Sequence, residues 1–504
     1  RSDSLRRLSK EPVMPMRLLR AATLASVLPF ATVHGQGTLA DYQRADSISA
    51  RLNPLFVGMP SSPEWLGATS RFWYRTSVTG GSRWHVVDAA TLAKTALFDH
   101  ERLAVAVSAV TGATFTGTSL PFTASTANVR VAVDVASLTF NRDSSGYRCD
   151  LVVYACARTG PAVVAAPAAA TAAGRRDGNG ATAPVRAPNG TSEALVVNYN
   201  IAVRTVGTTE PIMLSYDGME GDAYTLSSIR WSPDSKKLAA FRVRSGYRRM
   251  IPYIESSPTD QVQPKLTTRL YEKPGDPRDR QLPALFAVES KQQFRLDPAL
   301  LPHAYDLRRP QWRADSRAFT FEYNERGHQR YQVLEMHATT GAARVLIDER
   351  EATFVSNYST VWRQDVNDGA DMLWMSERDG WKHLWLYDGI TGRVKNQVTK
   401  GAWVVRGVDT VDAPKRQIYF RASGMYAGKD PYLIHAYRIN FDGTGLVALT
   451  QGDGTHTLSW SPSREYYVDT WSRVDQPPVM ELRRARDQAK LVELERTDVT
   501  LAEQ

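Results

Sequence analysis

Trp231-Ser-Pro-Asp-Ser-Lys-Lys-Leu-Ala-Ala-Phe241 is the stretch that decides the fold. Its first half is turn chemistry: Pro presets φ, and the Ser and Asp side chains bond nearby backbone groups. A short apolar run of strand length follows at once. The same order returns in Ala187-Pro-Asn-Gly-Thr-Ser-Glu-Ala-Leu-Val-Val197 and Trp312-Arg-Ala-Asp-Ser-Arg-Ala-Phe-Thr-Phe321. It returns again in Asp412-Ala-Pro-Lys-Arg-Gln-Ile-Tyr-Phe420 and Trp460-Ser-Pro-Ser-Arg-Glu-Tyr-Tyr-Val468. From turn to turn (188, 233, 314, 414, 462) the steps are 45, 81, 100 and 48 residues, so the long steps are about twice the short ones. A repeat of ~40–50 residues is what one four-stranded propeller blade occupies.

Working outward, Leu373-Trp-Met375 and Trp381-Lys-His-Leu-Trp-Leu-Tyr387 flank an Asp379-Gly380 turn in the middle of the last long step. That is a hairpin signal. Counting from Phe72 to Trp471 gives seven or eight blades. Each blade alone leaves a bare apolar face that only stacking in a ring covers. The expected class is therefore all-β, a seven- or eight-bladed β-propeller over residues 71–480. Residues 157–187, rich in Ala, Gly, Pro and Thr, read as a flexible surface insertion. Residues 38–57 read as a helix, with Leu39, Tyr42, Ala45, Ile48 and Leu52 three to four apart, inside an N-terminal helical or extended segment 36–70.

The two Cys of the 504 residues exclude a disulfide-framed scaffold, and 42% hydrophobic content excludes wholesale disorder. Of the net charge of +9, residues 1–35 carry +4, which leaves a mild balance for the rest. Nucleic acid is not an expected partner, because that reading needs a clustered basic stripe. The densest candidate, Arg242-Val-Arg244-Ser-Gly-Tyr-Arg248-Arg249, reads as a charged strand edge. Met16-Arg-Leu-Leu-Arg20, the uncharged run Ala21 to Val33 and the small residues before Gln36 follow the plan of a secretory signal. The expected location is the periplasm or the exterior, with no membrane span in the mature chain. Arg1 is not a start residue, so residues 1–13 read as upstream sequence. Cys149 and Cys156 can close a small loop in an oxidising compartment; a disulfide and two free thiols both remain open. No metal site, phosphate loop or other cofactor motif is expected: the nine His are scattered, and His383 reads as a sheet residue.

Trp374-Met-Ser-Glu-Arg-Asp-Gly-Trp-Lys-His-Leu-Trp-Leu-Tyr-Asp388 is similar to a propeller segment of dipeptidyl peptidase IV-like serine peptidases, of the prolyl oligopeptidase clan. Arg71-Phe-Trp-Tyr74, Trp231-Ser-Pro-Asp-Ser235, Pro264-Lys265 and Tyr271-Glu-Lys-Pro-Gly275 resemble the same family, in the same order, from about Asp41 to Gln504. The resemblance implies eight blades joined to an α/β-hydrolase, and removal of Xaa-Pro or Xaa-Ala dipeptides from peptide N-termini. It also implies an oligomer surface on the propeller and a pair of adjacent Glu that hold the substrate ammonium. Only Glu220, in Asp217-Gly-Met-Glu-Gly-Asp222, falls near that pair, and its neighbour is Gly221. The stretch also reads, and more simply, as an acidic turn between strands.

The chemistry of the clan needs a nucleophilic Ser on a Gly-x-Ser-x-Gly turn, followed by Asp and His. The 504 residues contain no Gly-x-Ser-x-Gly. No catalytic residue is therefore assigned, and no hydrolysis is expected of this chain alone. Two readings follow. In the first, the chain is the propeller portion of an exported exopeptidase, cut short, with residues 481–504 opening a linker towards the missing hydrolase. In the second, it is a complete, non-catalytic propeller that binds or scaffolds in the periplasm, with the apolar face of the 38–57 helix covered by another chain.

Overall fold

The computed structural model describes residues 37–122, 128–162, 183–356 and 361–503. The proposed secretory signal and residues 163–182 of the Ala/Gly/Pro/Thr-rich stretch lie outside them.

Eight antiparallel blades follow one another along the chain: 64–96, 129–161, 185–213, 222–295, 304–350, 363–397, 404–448 and 455–496. Seven have four strands hydrogen-bonded in chain order, and the fourth has five. The expected all-β propeller is thus present, with eight blades. In every blade a backbone N–H closes a tight turn onto the carbonyl three residues earlier, between inner strand and next strand. The donors are Thr69, Val135, Gly190, Ser235, Ser316, Gly369, Arg416 and Arg464. Ser235 and Ser316 hold φ near +60° there. The turn thus ends left-handed, and the Asx-type bonds of Asp234 to Lys236 and Asp315 to Arg317 help to fix it.

The repeat spacing matches the blade as the unit but does not track the number of blades. The 100-residue step holds two blades, divided by Val366-Asn-Asp-Gly369, a turn without Pro. The 81-residue step is one blade, lengthened by a two-stranded ribbon, Met250–Glu255 paired with Lys265–Leu270, between its strands Lys237–Arg244 and Arg280–Ala287. Two blades also precede the first turn recognised at Pro188.

Apolar side chains alternate along the strands and cluster between blades. Shared clusters join blades 1 and 2, and each successive pair from 3 to 8. Blades 2 and 3 share none among the described residues. Another cluster joins the last blade to the first: Phe72, Tyr74 and Val87 pack on Val468, Met480 and Leu482. One hydrogen bond recurs across these seams. The indole of Trp231 donates to the Val185 carbonyl of the preceding blade at 2.9 Å, and Trp312 donates to Arg230 at 2.8 Å. Trp65 of blade 1 makes the equivalent bond to Ser459 Oγ of blade 8 at 3.1 Å, so the ring closes by the device that builds it.

Between blades 1 and 2 lies a helix, His100–Thr111, absent from the strand-only reading. Asp99 caps it, Gly112 ends it in the left-handed conformation, and it buries Leu103, Ala104 and Val107. Cys149 and Cys156 face each other across a hairpin of blade 2 and are disulfide-bonded. Among the described residues, 37–53 belong to a separate unit, in which the expected helix spans Leu39–Leu52 behind a capping box of Thr38 and Asp41.

Candidate functional site

The acidic stretch enters blade 4 as a two-residue hairpin. Met219 and Asp222 exchange both backbone hydrogen bonds, which leaves Glu220-Gly221 at the tip. Gly221 has φ +75°. A side chain at this position is strained by ~1–2 kcal/mol, so the geometry that presents Glu220 disfavours a second Glu beside it.

The three carboxylates of the stretch have different surroundings. Asp217 accepts from Tyr224 at 3.1 Å, from Arg242 at 2.9 Å and from Gln293 at 3.3 Å, and Arg295 pairs with it at 3.1 Å. Burial, then Asp217 itself, pushes the Tyr224 phenol well above its ordinary range, so it stays a donor. Asp222 is buried between Arg242 at 3.3 Å and Arg244 at 2.9 Å. Glu220 is exposed and has no hydrogen bond or ion pair among the described residues. Met219, directly before it, and Tyr216, four residues before it, are exposed as well. A single free carboxylate can accept an ammonium, but it offers one acceptor group where a pair would offer two.

The basic run reads differently once folded. Arg242 and Arg244 neutralise the acidic turn, Arg248 pairs with Asp279 at 3.0 Å, and Arg249 forms a fork on Asp276. These partners lie 27 to 31 residues further along or 20 to 25 before, so local sequence could not show them. Arg295 and Gln293, which complete the Asp217 cluster, carried no signal in the sequence. His383 is buried, bonded to Thr399 Oγ1 at 3.0 Å and to the Gly401 carbonyl at 2.9 Å. No group of three His, Cys, Asp or Glu suited to a metal occurs among the described residues. No helix among them is long and apolar enough to cross a membrane.

The family model of the dipeptidyl peptidase IV (DPP IV) N-terminal region matches residues 169–478. This chain belongs to that family. The match spans the DPP IV N-terminal blades 3 to 7 complete, the Glu220 turn included. Dipeptidyl peptidase 4 of Trichophyton equinum is 27% identical over 150 residues, which is 29% of this chain and 19% of the fungal protein. Probable dipeptidyl peptidase 4 of Aspergillus fumigatus is 27% identical over 107 residues, 20% of this chain and 13% of its own. The crystal structure of Porphyromonas gingivalis dipeptidyl peptidase 4 aligns with 88% of this chain and 60% of its own, at 17% identity and a TM-score of 0.47. The chain thus matches less than two-thirds of the length of each of these relatives.

Proposed function

We propose that this chain is the propeller portion of an exported dipeptidyl peptidase IV-like serine exopeptidase. In this reading the ring restricts which peptides reach the active site, and the Glu220 turn meets the free amino terminus of the substrate. Chemistry belongs to a hydrolase domain that residues 1–504, without a Gly-x-Ser-x-Gly turn, do not supply. The observation that carries the reading is the family match across residues 169–478. The basic, then apolar, then small-residue order of residues 16–35 supports export. The exposed side chains of Met250, Ile254, Leu266 and Leu270 on the blade 4 ribbon support a contact with a second copy.

The test is hydrolysis of Gly-Pro-p-nitroanilide. The purified 504-residue chain is expected to release no nitroaniline, whereas the native protein isolated from its source releases it and is blocked by a serine-directed phosphonate. Release by the 504-residue chain itself, or an inert native protein, would overturn the reading.

A further inference from the structure

Blades 5 and 6 meet through charge as well as apolar packing. Alternation along Ala318–Glu325 turns Phe319, Phe321 and Tyr323 towards blade 4, where they join its shared cluster. Thr320 and Glu322 therefore face blade 6. There Arg363 grips Asp365 through two 2.6 Å bonds, Arg313 reaches Asp365 at 2.6 Å and Glu335 at 3.0 Å, and Arg344 pairs with Glu335. Burial pushes the Asp365 carboxyl up, but the hydrogen bonds and charge of Arg363 and Arg313 outweigh it and hold the group below its ordinary range.

One carboxylate in this array is incompletely satisfied. Glu322 is fully buried, and its Oε2 accepts from Tyr331 at 2.7 Å. Its Oε1 accepts no hydrogen bond; Arg309 and Arg363 stand off at 3.6 and 3.7 Å. A buried acceptor left without a donor costs ~1–3 kcal/mol. Glu322 lines a cleft of about 130 Å³ together with Arg309, Gln311, Arg363, Gln364 and Asp365. Arg309 sits at a bulge of its strand, with φ +46° directly before Pro310. Both features are unfavourable for a non-glycine residue, and bulges re-aim side chains. The guanidinium it directs to the cleft is half exposed.

The lining selects the class of occupant. Two carboxylates in the wall repel a phosphate or sulfate, two guanidinium groups repel a bare metal cation, and an apolar molecule would leave Glu322 Oε1 without a donor. A lining with an unsatisfied carboxylate oxygen and a half-exposed guanidinium favours a molecule with both signs. We propose that this cleft binds a small zwitterion, of about the size of one amino acid, with its ammonium on Glu322 Oε1 and its carboxylate on Arg309. Arg309 then turns from its distant approach to Glu322 to a fork on the ligand, and Glu322 gains the donor it lacks. The site lies between blades 5 and 6, apart from the Glu220 turn of blade 4, and does not depend on the peptidase reading.

Calorimetric titration of the 504-residue chain with glycine and with L-proline tests this, with acetate and methylammonium as single-charge probes. At least one zwitterion is expected to bind at millimolar concentration or below, and each single-charge probe at least about 10-fold more weakly. Glu322→Gln and Arg309→Ala should each weaken the zwitterion by about 10-fold or more. If Glu322→Gln does not fold, Arg309→Ala decides, because its side chain is half exposed and removable. No saturable heat up to about 10 mM, equal binding of acetate, or affinity unchanged in Arg309→Ala would overturn the proposal and leave the cleft to water.

Discussion

The hydroxyl of Tyr74 donates to Glu495 Oε1 at 2.8 Å, joining residues 421 apart in sequence. Tyr74 is fully buried in blade 1, Glu495 lies on the outermost strand of blade 8, and Lys94 completes the group by pairing with the same carboxylate. Burial, then Glu495, pushes the Tyr74 phenol far above its ordinary range, so it stays a donor in alkaline solution. With Trp65–Ser459 it forms the polar part of ring closure, beside the apolar cluster of the same seam.

Removing the acceptor at this seam should therefore cost more than removing the donor. Glu495→Ala strands a buried hydroxyl and frees Lys94, and is expected to lower unfolding free energy by about 2–3 kcal/mol. Tyr74→Phe leaves Glu495 with Lys94 and should cost about 1 kcal/mol. Urea unfolding at pH 7 measures both.

The acidic turn should separate structure from recognition. Asp217→Asn removes the charge that Arg242 and Arg295 hold, and is expected to destabilise by about 1–3 kcal/mol. Glu220→Gln, at an exposed tip, should stay within about 0.5 kcal/mol of the parent. Thermal unfolding of the two variants makes the comparison.

Gly221→Ala should be less stable than the parent by about 1–2 kcal/mol, since φ +75° is costly for any residue with a Cβ. A rebuilt Glu pair, Gly221→Glu, carries the same cost. Denaturant midpoints of Gly221→Ala and Gly221→Glu that match the parent would contradict the hairpin geometry.

Stability should fall on mild acidification. His435 is buried, and burial, followed by charge at His456 and Lys429, lowers its pKa to about 4. His85 is lowered to about 4 as well, first by burial and then by Lys94. Between an unfolded pKa of ~6.5 and these folded values, the unfolded chain binds protons that the native ring refuses. The contribution is thus complete above about pH 6.5 and is lost as pH falls towards 4, about 3 kcal/mol for His435. His435→Gln should flatten that slope, as read from urea midpoints at pH 7, 5.5 and 4.5.

Much of the architecture was legible because blades are local. The turn at Ser232–Ser235 and the strand after it are adjacent in sequence, so Pro, Asp and Ser announce them. Val366-Asn-Asp-Gly369 makes the same turn with different residues, and the ribbon at 250–270 lengthens one blade without adding another. Both disturb an argument from spacing alone. A second repeat passed unread: His383 and His435 each open the third strand of a blade and face Thr399 and Thr450. The polar clusters were illegible for a different reason. Arg309 and Glu322 lie on neighbouring strands of blade 5, and Arg363 joins them only once blades 5 and 6 stack.

The reading as an exopeptidase propeller meets its most direct test in the coding sequence of the source beyond codon 504. The account predicts an open frame that encodes Gly-x-Ser-x-Gly on a strand-to-helix turn, then Asp and His in that order. A stop codon with no such segment in any frame would contradict it, and would make this DPP IV N-terminal propeller a protein that binds without cutting.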